Sequence, residues 1–309
     1  MTAAIVVAGV VSLYVSAAVG EFPVRYAPSR RPGWMEAGVS GAAGHIARVQ
    51  RMLGDDVRLC APVGRDAAGL LIRGELGRLG LAGPGIVDSP ASCLGLVLVG
   101  PGGRRMGLPH LAPADRIAYP FELLAEQARG ADMAVLTNAR FVRPLVPRAA
   151  GLAVPIAVDV HRIADPADEY DRPWLEHADV VFCSHERIGE PRAWIAALFA
   201  RHRRCRMVGV GRGPRGALLG LRDGTLIAVE AVTPGAPVNT SGAGDALFAT
   251  FLHVLLDTGD PVAALRSGVV HAGWKIAHRL PVAASLPPPE LAALLDAAPP
   301  EARVGRWDR

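Results

Sequence analysis

Short apolar runs alternate with longer amphipathic stretches along most of this chain. Runs such as Ile5–Gly9 and Val180–Phe182 contain almost no polar position, which is typical of strands buried on both faces. The same pattern predicts strands at residues 57–61, 133–136, 155–158 and 206–210. Strands of this kind, separated by helical segments, indicate an α/β fold whose parallel sheet lies between helix layers. Ligands of such folds bind at the carboxyl ends of the strands.

Helical periodicity is clearest in Gly44–Leu53, Ala67–Leu79 and Ala246–Leu256. Gly54 follows the first of these segments and Gly259 lies shortly after the third, and a glycine at this place commonly ends a helix. The tail after Pro299 has no comparable pattern, so we expect it to be loose.

Two further segments predict a second, smaller sheet. Tyr14–Arg25 and Ala91–Gly100 have β-like stretches interrupted by Gly and Pro, and the second leads into the turn Pro101-Gly102-Gly103. We expect the two segments to pair and to project from the main body.

Composition and charge exclude several classes of protein. Half of the 309 residues are apolar and the formal net charge is +4, but the arginines are scattered, which argues against a nucleic-acid partner. The cysteines form no CxxC pair, which argues against a zinc site or a disulfide framework; they are Cys60, Cys93, Cys183 and Cys205. The apolar stretch Ala3–Val19 has no basic residue before Arg25, so it predicts a buried strand rather than a secretion signal. We therefore expect a cytoplasmic protein without a membrane partner.

The sequence Val238–Asp245 is the strongest functional signal. It reads Val-Asn-Thr-Ser-Gly-Ala-Gly-Asp and runs directly into the helix predicted at 246–256. The N–H groups of a helix N-terminus lack intrahelical partners and bind anions. Asp245 would place a carboxylate base beside a phosphate held there, which indicates phosphoryl transfer to a hydroxyl. The alternative is an ordinary helix cap by Thr240 or Ser241, with Asp245 complementing the helix dipole; the two glycines argue against it.

Other candidate motifs are less specific. Gly211–Gly216 matches GxGxxG, but the pattern after it predicts strand, Asp223-Gly224 turn and strand, not the helix that a dinucleotide site requires. We interpret it as a glycine-rich loop that contacts a nucleotide. No GxxxxGK[ST] motif is present, which excludes a P-loop. Asp159-Val160-His161 follows a predicted strand and fits a ligand site or a solvated loop equally well.

Three segments resemble the ribokinase family, also called the PfkB carbohydrate kinases. Asn239–Ala246 is similar to the family's C-terminal signature, Asp-Thr-Thr-Gly-Ala-Gly-Asp. Ser40–Ala47, continuing to Leu53-Gly54, resembles the N-terminal signature Gly-Gly-x-x-x-Asn-x-Ala…Leu-Gly, and Val63–Gly69 resembles Val-Gly-Asp-Asp-x-x-Gly. The order and spacing match from the first strand to about Leu295.

The resemblance implies one ribokinase-like domain over residues 1–309. Its fold would be a three-layer α/β sandwich with a mostly parallel sheet and a small β lid, formed by segments at about 13–41 and 91–112. The implied reaction transfers the γ-phosphoryl group of ATP to an alcohol with Mg²⁺, and relatives often form homodimers through the lid.

The resemblance also implies the site residues. The catalytic group would consist of the base Asp245 and the anion hole Gly242, Ala243 and Gly244. ATP would contact Asn239, Thr240, Gly211, Gly213, Gly216 and His271. The acceptor would face Tyr14, Gly41, His45 and Asn138 beside Asp245, and Glu186 would be the carboxylate associated with Mg²⁺.

Departures from the family pattern concern mainly the acceptor. Tyr14 stands where ribokinases have a sugar-binding Asp, and His45 replaces the Asn of the N-terminal signature. The family's Asn-x-x-Glu is altered to Ser184–Arg187, and Asn239 replaces an Asp, which weighs against a K⁺ site. A sugar or sugar-like acceptor is therefore the first hypothesis. A nucleoside kinase, with Tyr14 or another aromatic residue stacking on the base, and a non-catalytic sugar- or nucleotide-binding regulator are the alternatives.

Overall fold

The computed structural model describes residues 2–232, 234–284 and 286–308. The larger of its two sheets has ten strands in the described residues, in the order β14-β13-β12-β11-β10-β9-β8-β1-β4-β5. These strands are β1 (Ala4–Ala8), β4 (Asp56–Gly64), β5 (Ile86–Ser89), β8 (Met133–Leu136), β9 (Ile156–Asp159), β10 (Val180–Ser184), β11 (Met207–Gly211), β12 (Ala217–Leu221), β13 (Thr225–Val229) and β14 (Ala302–Arg306). The pairs from β5 to β11 are parallel and those from β11 to β14 are antiparallel.

Helices cover both faces of this sheet. They are α1 (Ala42–Leu53), α2 (Ala67–Arg78), α3 (Ala112–Asp115), α4 (Phe121–Gln127), α5 (Val146–Ala149), α6 (Arg172–His177), α7 (Pro191–Arg201), α8 (Ala243–Thr258), α9 (Pro261–Lys275) and α10 (Pro288–Ala297). Alternate residues of β1 divide between two cores. Ile5 and Val7 pack with residues of α1, α2, α8 and α9, whereas Val6 and Ala8 pack with residues of α4 to α7. This arrangement confirms the predicted three-layer α/β sandwich with a mostly parallel sheet.

The smaller sheet has the order β3-β2-β6-β7 and forms the lid. Its strands are β2 (Ser12–Ala18), β3 (Met35–Ser40), β6 (Cys93–Val99) and β7 (Arg105–His110). On its inner face, Tyr14, Val97 and Val99 pack against Val282 and Leu280 of the main body. The lid therefore rests on the segment that follows α9.

The β-like stretch predicted within Tyr14–Arg25 corresponds to β2, which ends at Ala18 and pairs with β6 as expected. The expectation of a loose tail is wrong. The tail is ordered by β14, which pairs antiparallel with β13. Trp307 then donates from Nε1 to the carbonyl of Leu221 (2.7 Å) and packs on Phe199. A strand with mostly exposed side chains gives little hydrophobic pattern, so it is recognised only through its partner.

No helix in the described parts of the chain is both long enough and apolar enough to cross a bilayer.

Candidate active site

The carboxyl ends of β1, β8, β9, β10 and β11 lie at one edge of the sheet, where the N-terminus of α8 also lies. Gly242 precedes α8 in the left-handed conformation (φ 71°). A Cβ atom there would overlap the His45 ring, so both the backbone conformation and the packing require glycine. The first-turn N–H groups of α8, which has 16 residues, lack intrahelical acceptors and carry the positive end of the helix dipole. The turn formed by Asn239–Asp245, called the anion-binding turn below, can therefore hold an anion.

Asp245 lies in the first turn of α8, and its two carboxylate oxygens have different surroundings. Nδ1 of His45 is 3.1 Å from Oδ2, whereas Oδ1 is buried and has no hydrogen-bond partner among the described residues. Burial raises the pKa of Asp245, but the His45 hydrogen bond and nearby positive charges lower it by a larger amount. The net shift is therefore downward. An ionised carboxylate with one oxygen held and one free can accept a proton.

His45, which the resemblance places at the acceptor, lies behind Asp245, and its side chain is only 2% exposed. It projects from α1, which begins after Gly41, and Gly41 (φ 90°) packs so closely on the carbonyl of Val10 that a Cβ atom would not fit. Burial, followed by the charge of Lys275, lowers the pKa of His45. A neutral imidazole that donates from Nδ1 to Asp245 is consistent with this shift. Gly41 and His45 thus support the turn and the carboxylate from behind.

Tyr14, predicted to face the acceptor, and Asn239, predicted to contact ATP, are also enclosed by the protein. The Tyr14 hydroxyl donates to Oγ of Ser241 (3.0 Å). Asn239 is fully buried; its Nδ2 donates to Ser16 and to the carbonyl of Arg279, and its Oδ1 accepts from the N–H of Ser241. Both side chains hold the turn in shape.

Thr240 connects the turn to the lid. Its hydroxyl donates to the carbonyl of Gly103, 3.2 Å away in the loop between β6 and β7. Movement of the lid would therefore act directly on the anion-binding turn.

The glycine-rich loop forms a tight turn beside this site. Gly211 ends β11, and Gly213 (φ 57°) and Gly216 (φ 78°) have positive φ values. A Cβ atom on Gly216 would overlap the Val229 carbonyl. The loop is held to the end of β10 because the backbone N–H of His185 donates to the carbonyl of Gly211 (2.9 Å).

His271 is not on the surface of this loop. It is fully buried, with Nδ1 2.7 Å from the Thr250 hydroxyl and the N–H of Leu286 donating to Nε2. Burial and the charge of Lys275 lower its pKa to about 3. The His271 side chain therefore joins α8 to α9, and its predicted contact with ATP stays a prediction.

Glu186 is an exposed carboxylate one residue from His185. Its closest ionic partner in the described residues is Arg162, at 3.7 Å. Its place next to the glycine-rich loop fits Mg²⁺ held between a carboxylate and nucleotide phosphates, mainly through water.

A second group of side chains includes Asp245 itself. One potential ligand atom from each of Asp159, His161 and Asp245 lies within 4.8 Å of the other two. Burial opposes the charge of His161, but Asp159 and then Asp245 raise its pKa to about 9. The imidazolium therefore offsets the charge of one of the two carboxylates, and the three groups could also hold a metal ion. For Asp159 and His161, the position after a predicted strand was the only signal in the sequence.

An open cleft extends from this cluster towards Asn138. It consists of two adjoining cavities of about 430 and about 590 Å³, both lined by Asn138 and Tyr170. The charged residues along it are Asp115, Arg140, His161, Arg162, Asp168, Asp171 and Arg187. Burial and then Asp168 raise the pKa of Asp171 to about 6. Of the residues predicted to contact the acceptor, Asn138 lines this cleft, where it donates from Nδ2 to the carbonyl of Val160. Tyr170 and Asp171 were missed.

Comparison with known proteins places this geometry in a class. The chain aligns over 96% of its length with all of the microbiome-derived acarbose kinase Mak1 (24% identity, TM-score 0.87). It aligns over 96% with 99% of Arabidopsis thaliana ribokinase complexed with ribose and ATP (18%, 0.78). It also aligns over 96% with all of a Burkholderia thailandensis nucleoside kinase in complex with inosine (20%, 0.77). The fold is therefore ribokinase-like. No curated protein sequence matches the chain.

A family model matches part of the sequence. Residues 145–287, which include the anion-binding turn, match the pfkB family carbohydrate kinases. This match and the shared fold agree with the resemblance of the motifs to the ribokinase family, and they support a phosphotransferase.

Proposed function

We propose that this protein transfers the γ-phosphoryl group of ATP to a hydroxyl of a sugar or sugar-like molecule, with Asp245 as the base. The observation that carries the proposal is the asymmetry of Asp245, whose Oδ2 is held by His45 while Oδ1 has no partner among the described residues. A hydroxyl that reaches Oδ1 would be oriented beside the N-terminus of α8. A positioned base of this kind contributes about 10²–10⁴-fold to rate.

The backbone would provide the remaining stabilisation of the transition state. The transferred phosphoryl group would lie at the turn formed by Gly242, Ala243 and Gly244, whose N–H groups stabilise its equatorial oxygens. The loop containing Gly211, Gly213 and Gly216 would contact the nucleotide. The backbone N–H of Thr240 would donate to phosphate while its hydroxyl links the turn to the lid. Mg²⁺, when bound near Glu186, would neutralise phosphate charge. Asn239 is fully buried, and its side chain is hydrogen-bonded within the protein, which weighs against a K⁺ site there.

The acceptor would occupy the cleft around Asn138. Its lining of carboxylates, guanidinium groups and an amide can satisfy many hydroxyl groups, as a polyhydroxylated acceptor requires. The similar proteins named with acarbose and ribose fit this interpretation, whereas the one named with inosine represents the alternative. Tyr14 is buried and cannot stack on a nucleobase as that alternative supposed, but Tyr170, which is 42% exposed, could do so. We favour the sugar because Tyr170 is the one aromatic residue among those lining the two described cavities.

The test is a panel of monosaccharides, oligosaccharides and nucleosides incubated with MgATP, with ADP release and phosphorylated product measured. A sugar-dependent product that disappears in Asp245→Asn supports the proposal. Asp296→Asn, which changes an exposed carboxylate on α10, is the control and should leave the rate unchanged. Product formation from nucleosides alone would support the alternative, and transfer at the parental rate by Asp245→Asn would refute the assignment of the base.

We also propose that the protein forms a homodimer through the outer face of the lid. Leu94, Leu96, Met106 and Leu108 are exposed there, and Leu96 lies opposite Leu108 in the pairing of β6 with β7. An apolar patch of this kind usually marks an interface. Sedimentation should give a dimer for the parental chain and a monomer for Leu96→Asp with Leu108→Asp. A monomeric parental chain would refute the proposal.

A further inference from the structure

Lys275 is the only lysine among 33 basic residues of the chain, and it is fully buried. It is the last residue of α9, and its Nζ donates to the carbonyl of Ala284, 2.6 Å away. Lysine is almost never fully buried without a partner, because removal of the ammonium group from water is costly. Neither the reaction mechanism proposed above nor the family signatures quoted above account for it.

The hydrogen bond from Lys275 closes a loop that holds the anion-binding turn. Within this loop, the carbonyl of Ile276 accepts from the N–H groups of Val238 and Asn239 (2.8 and 3.0 Å). The carbonyl of Arg279 accepts from Nδ2 of Asn239. The beginning of the turn is therefore attached to a loop whose two ends are joined by the Lys275 side chain.

The same loop connects the turn to the lid and to α1. Leu280 and Val282 pack under the lid sheet. Arg48, one helical turn after His45 on α1, donates from Nη2 to the carbonyl of Ala283 (2.8 Å). Two adjacent carbonyls, those of Ala283 and Ala284, thus receive hydrogen bonds from buried or nearly buried cations.

The charge of Lys275 also acts on the reacting groups. It lowers the pKa of Asp245 and of the two buried histidines, His45 and His271. Burial lowers the pKa of Lys275 itself to about 7, with Arg48 acting in the same direction and Asp245 opposing it. The negative charge of a bound phosphate would favour the ammonium form. A buried positive charge is screened much less than one in water, so its effect on a nearby phosphoryl group is larger.

We propose that Lys275 is a positioning residue of the phosphoryl-transfer site, where its ammonium group closes the loop behind the anion-binding turn and supplies a fixed positive charge to it. The inference rests on the proposed function, since it concerns the charge that develops during transfer. A fixed ammonium group bound to a carbonyl does here what a bound alkali cation could do. Turnover should therefore not depend on added K⁺.

A purely structural role of Lys275 predicts that a neutral replacement lowers stability and leaves the rate of the folded protein unchanged. Replacing Lys275 by an apolar side chain of similar length removes the cost of burying a charge but leaves the Ala284 carbonyl without its donor, so the two effects on stability oppose each other. Lys275→Met should therefore change the melting temperature little, while the catalytic rate falls about tenfold to hundredfold because the charge is lost. Activity would then fall by far more than the change in stability accounts for, as it does at sites where function is favoured over stability.

The matched control is Arg222→Met. Arg222 also donates to the carbonyls that surround it, those of Phe199, His202 and Cys205. It follows β12 at the end that pairs with the beginning of β11, opposite the candidate site. Its loss should lower the melting temperature and leave the rate unchanged.

The experiment compares the parental chain, Lys275→Met, Lys275→Ala and Arg222→Met in three measurements: melting temperature, affinity for MgADP with and without aluminium fluoride, and phosphorylation of the acceptor found in the panel. We expect Lys275→Met to bind MgADP normally and to bind the complex with aluminium fluoride at least tenfold more weakly. Methylammonium or K⁺ should restore part of the Lys275→Ala rate, and neither should affect the parental chain.

A folded Lys275→Met protein with the parental rate would overturn the inference. An inactive Lys275→Ala protein whose rate neither methylammonium nor K⁺ restores would also overturn it. So would Lys275→Met and Lys275→Ala proteins that remain unfolded in methylammonium and in K⁺, since these results indicate a structural role. A parental chain that phosphorylates no acceptor in the panel would instead refute the proposed function.

Discussion

The two halves of the candidate site are built differently. On the donor side, the anion-binding turn and the glycine-rich loop are backbone structures whose shape is set by glycines and by buried supports such as His45 and Asn239. On the acceptor side, the cleft around Asn138 is lined by ionisable side chains that come from several loops.

This difference separates what is common to the chemistry from what is specific to the acceptor. A backbone anion site serves any phosphoryl transfer, because its hydrogen bonds do not depend on the molecule that receives the group. A cleft of paired charges can be changed one side chain at a time without altering the fold. The experiments that follow test whether the two halves can be changed independently.

The largest effect is expected from Asp245→Asn, which removes the proposed base where the two halves meet. The rate should fall by about 10²–10⁴-fold, while MgATP binding, measured by calorimetry, stays close to the parental value. A comparable loss of nucleotide affinity would show instead that Asp245 belongs to the donor side alone.

Gly242→Ala should have the next largest effect and tests the donor side. A methyl group there would overlap the His45 ring, whereas Gly259 at the other end of α8 has almost the same φ (69° against 71°) and no neighbour within 4 Å. Gly259→Ala therefore measures the cost of the left-handed backbone alone, about 1–2 kcal/mol. We expect Gly242→Ala to lose about 10²–10³-fold in rate and more stability in urea than Gly259→Ala. Equal effects in the two variants would show that the contact with His45 is unimportant.

His45→Asn tests whether the support behind Asp245 is electrostatic. The hydrogen bond from His45 keeps the pKa of Asp245 below its ordinary value, so its loss should raise that pKa. A hydrogen bond to a charged group contributes about 1.5–3 kcal/mol, which corresponds to about one or two pH units. The acid limb of kcat/KM should move to higher pH by about that amount, with a smaller loss of rate at pH 8. An unchanged acid limb would mean that His45 only fills space.

The stability of His45→Asn has a defined pH dependence. The folded-state pKa of Asp245 is depressed, so its ionisation stabilises the fold at pH values above the unfolded pKa, and this contribution is lost as the pH falls. Urea unfolding should therefore show a larger difference between the parental chain and His45→Asn at pH 7 than at low pH.

Much of the donor side could be predicted from sequence because glycines report backbone geometry directly. Gly242 and Gly216 have positive φ and no room for a Cβ atom, so these glycines in the sequence indicate where the backbone turns. The buried strands were predicted for a similar reason, since burial on both faces leaves an apolar run.

The supports and the cleft could not be predicted because they depend on contacts between distant segments. The position of His45 in a signature motif gave no indication that its ring would lie on Gly242, about 200 residues away in the chain. Tyr170 and Asp171 lie outside the recognised motifs and enter the cleft only through the path of the chain before α6. The same holds for β14, whose exposed side chains carry no pattern.

The smallest effect is expected from Asp171→Asn, which tests the acceptor side. Burial and Asp168 raise the pKa of Asp171 to about 6, so the folded state holds a proton that the unfolded state loses near pH 4. Stability should therefore decrease as the pH rises from about 4 to about 6 and stay lower above it. Asp171→Asn should raise the free energy of unfolding at pH 8 by about 1–3 kcal/mol and have little effect at pH 4, whereas the exposed Asp296→Asn should leave it unchanged at both pH values.

If Asp171 also accepts a hydroxyl of the bound sugar, the same variant should raise the acceptor KM several-fold and leave the KM for ATP unchanged. An equal change in both KM values would show that the acceptor and donor halves are not independent.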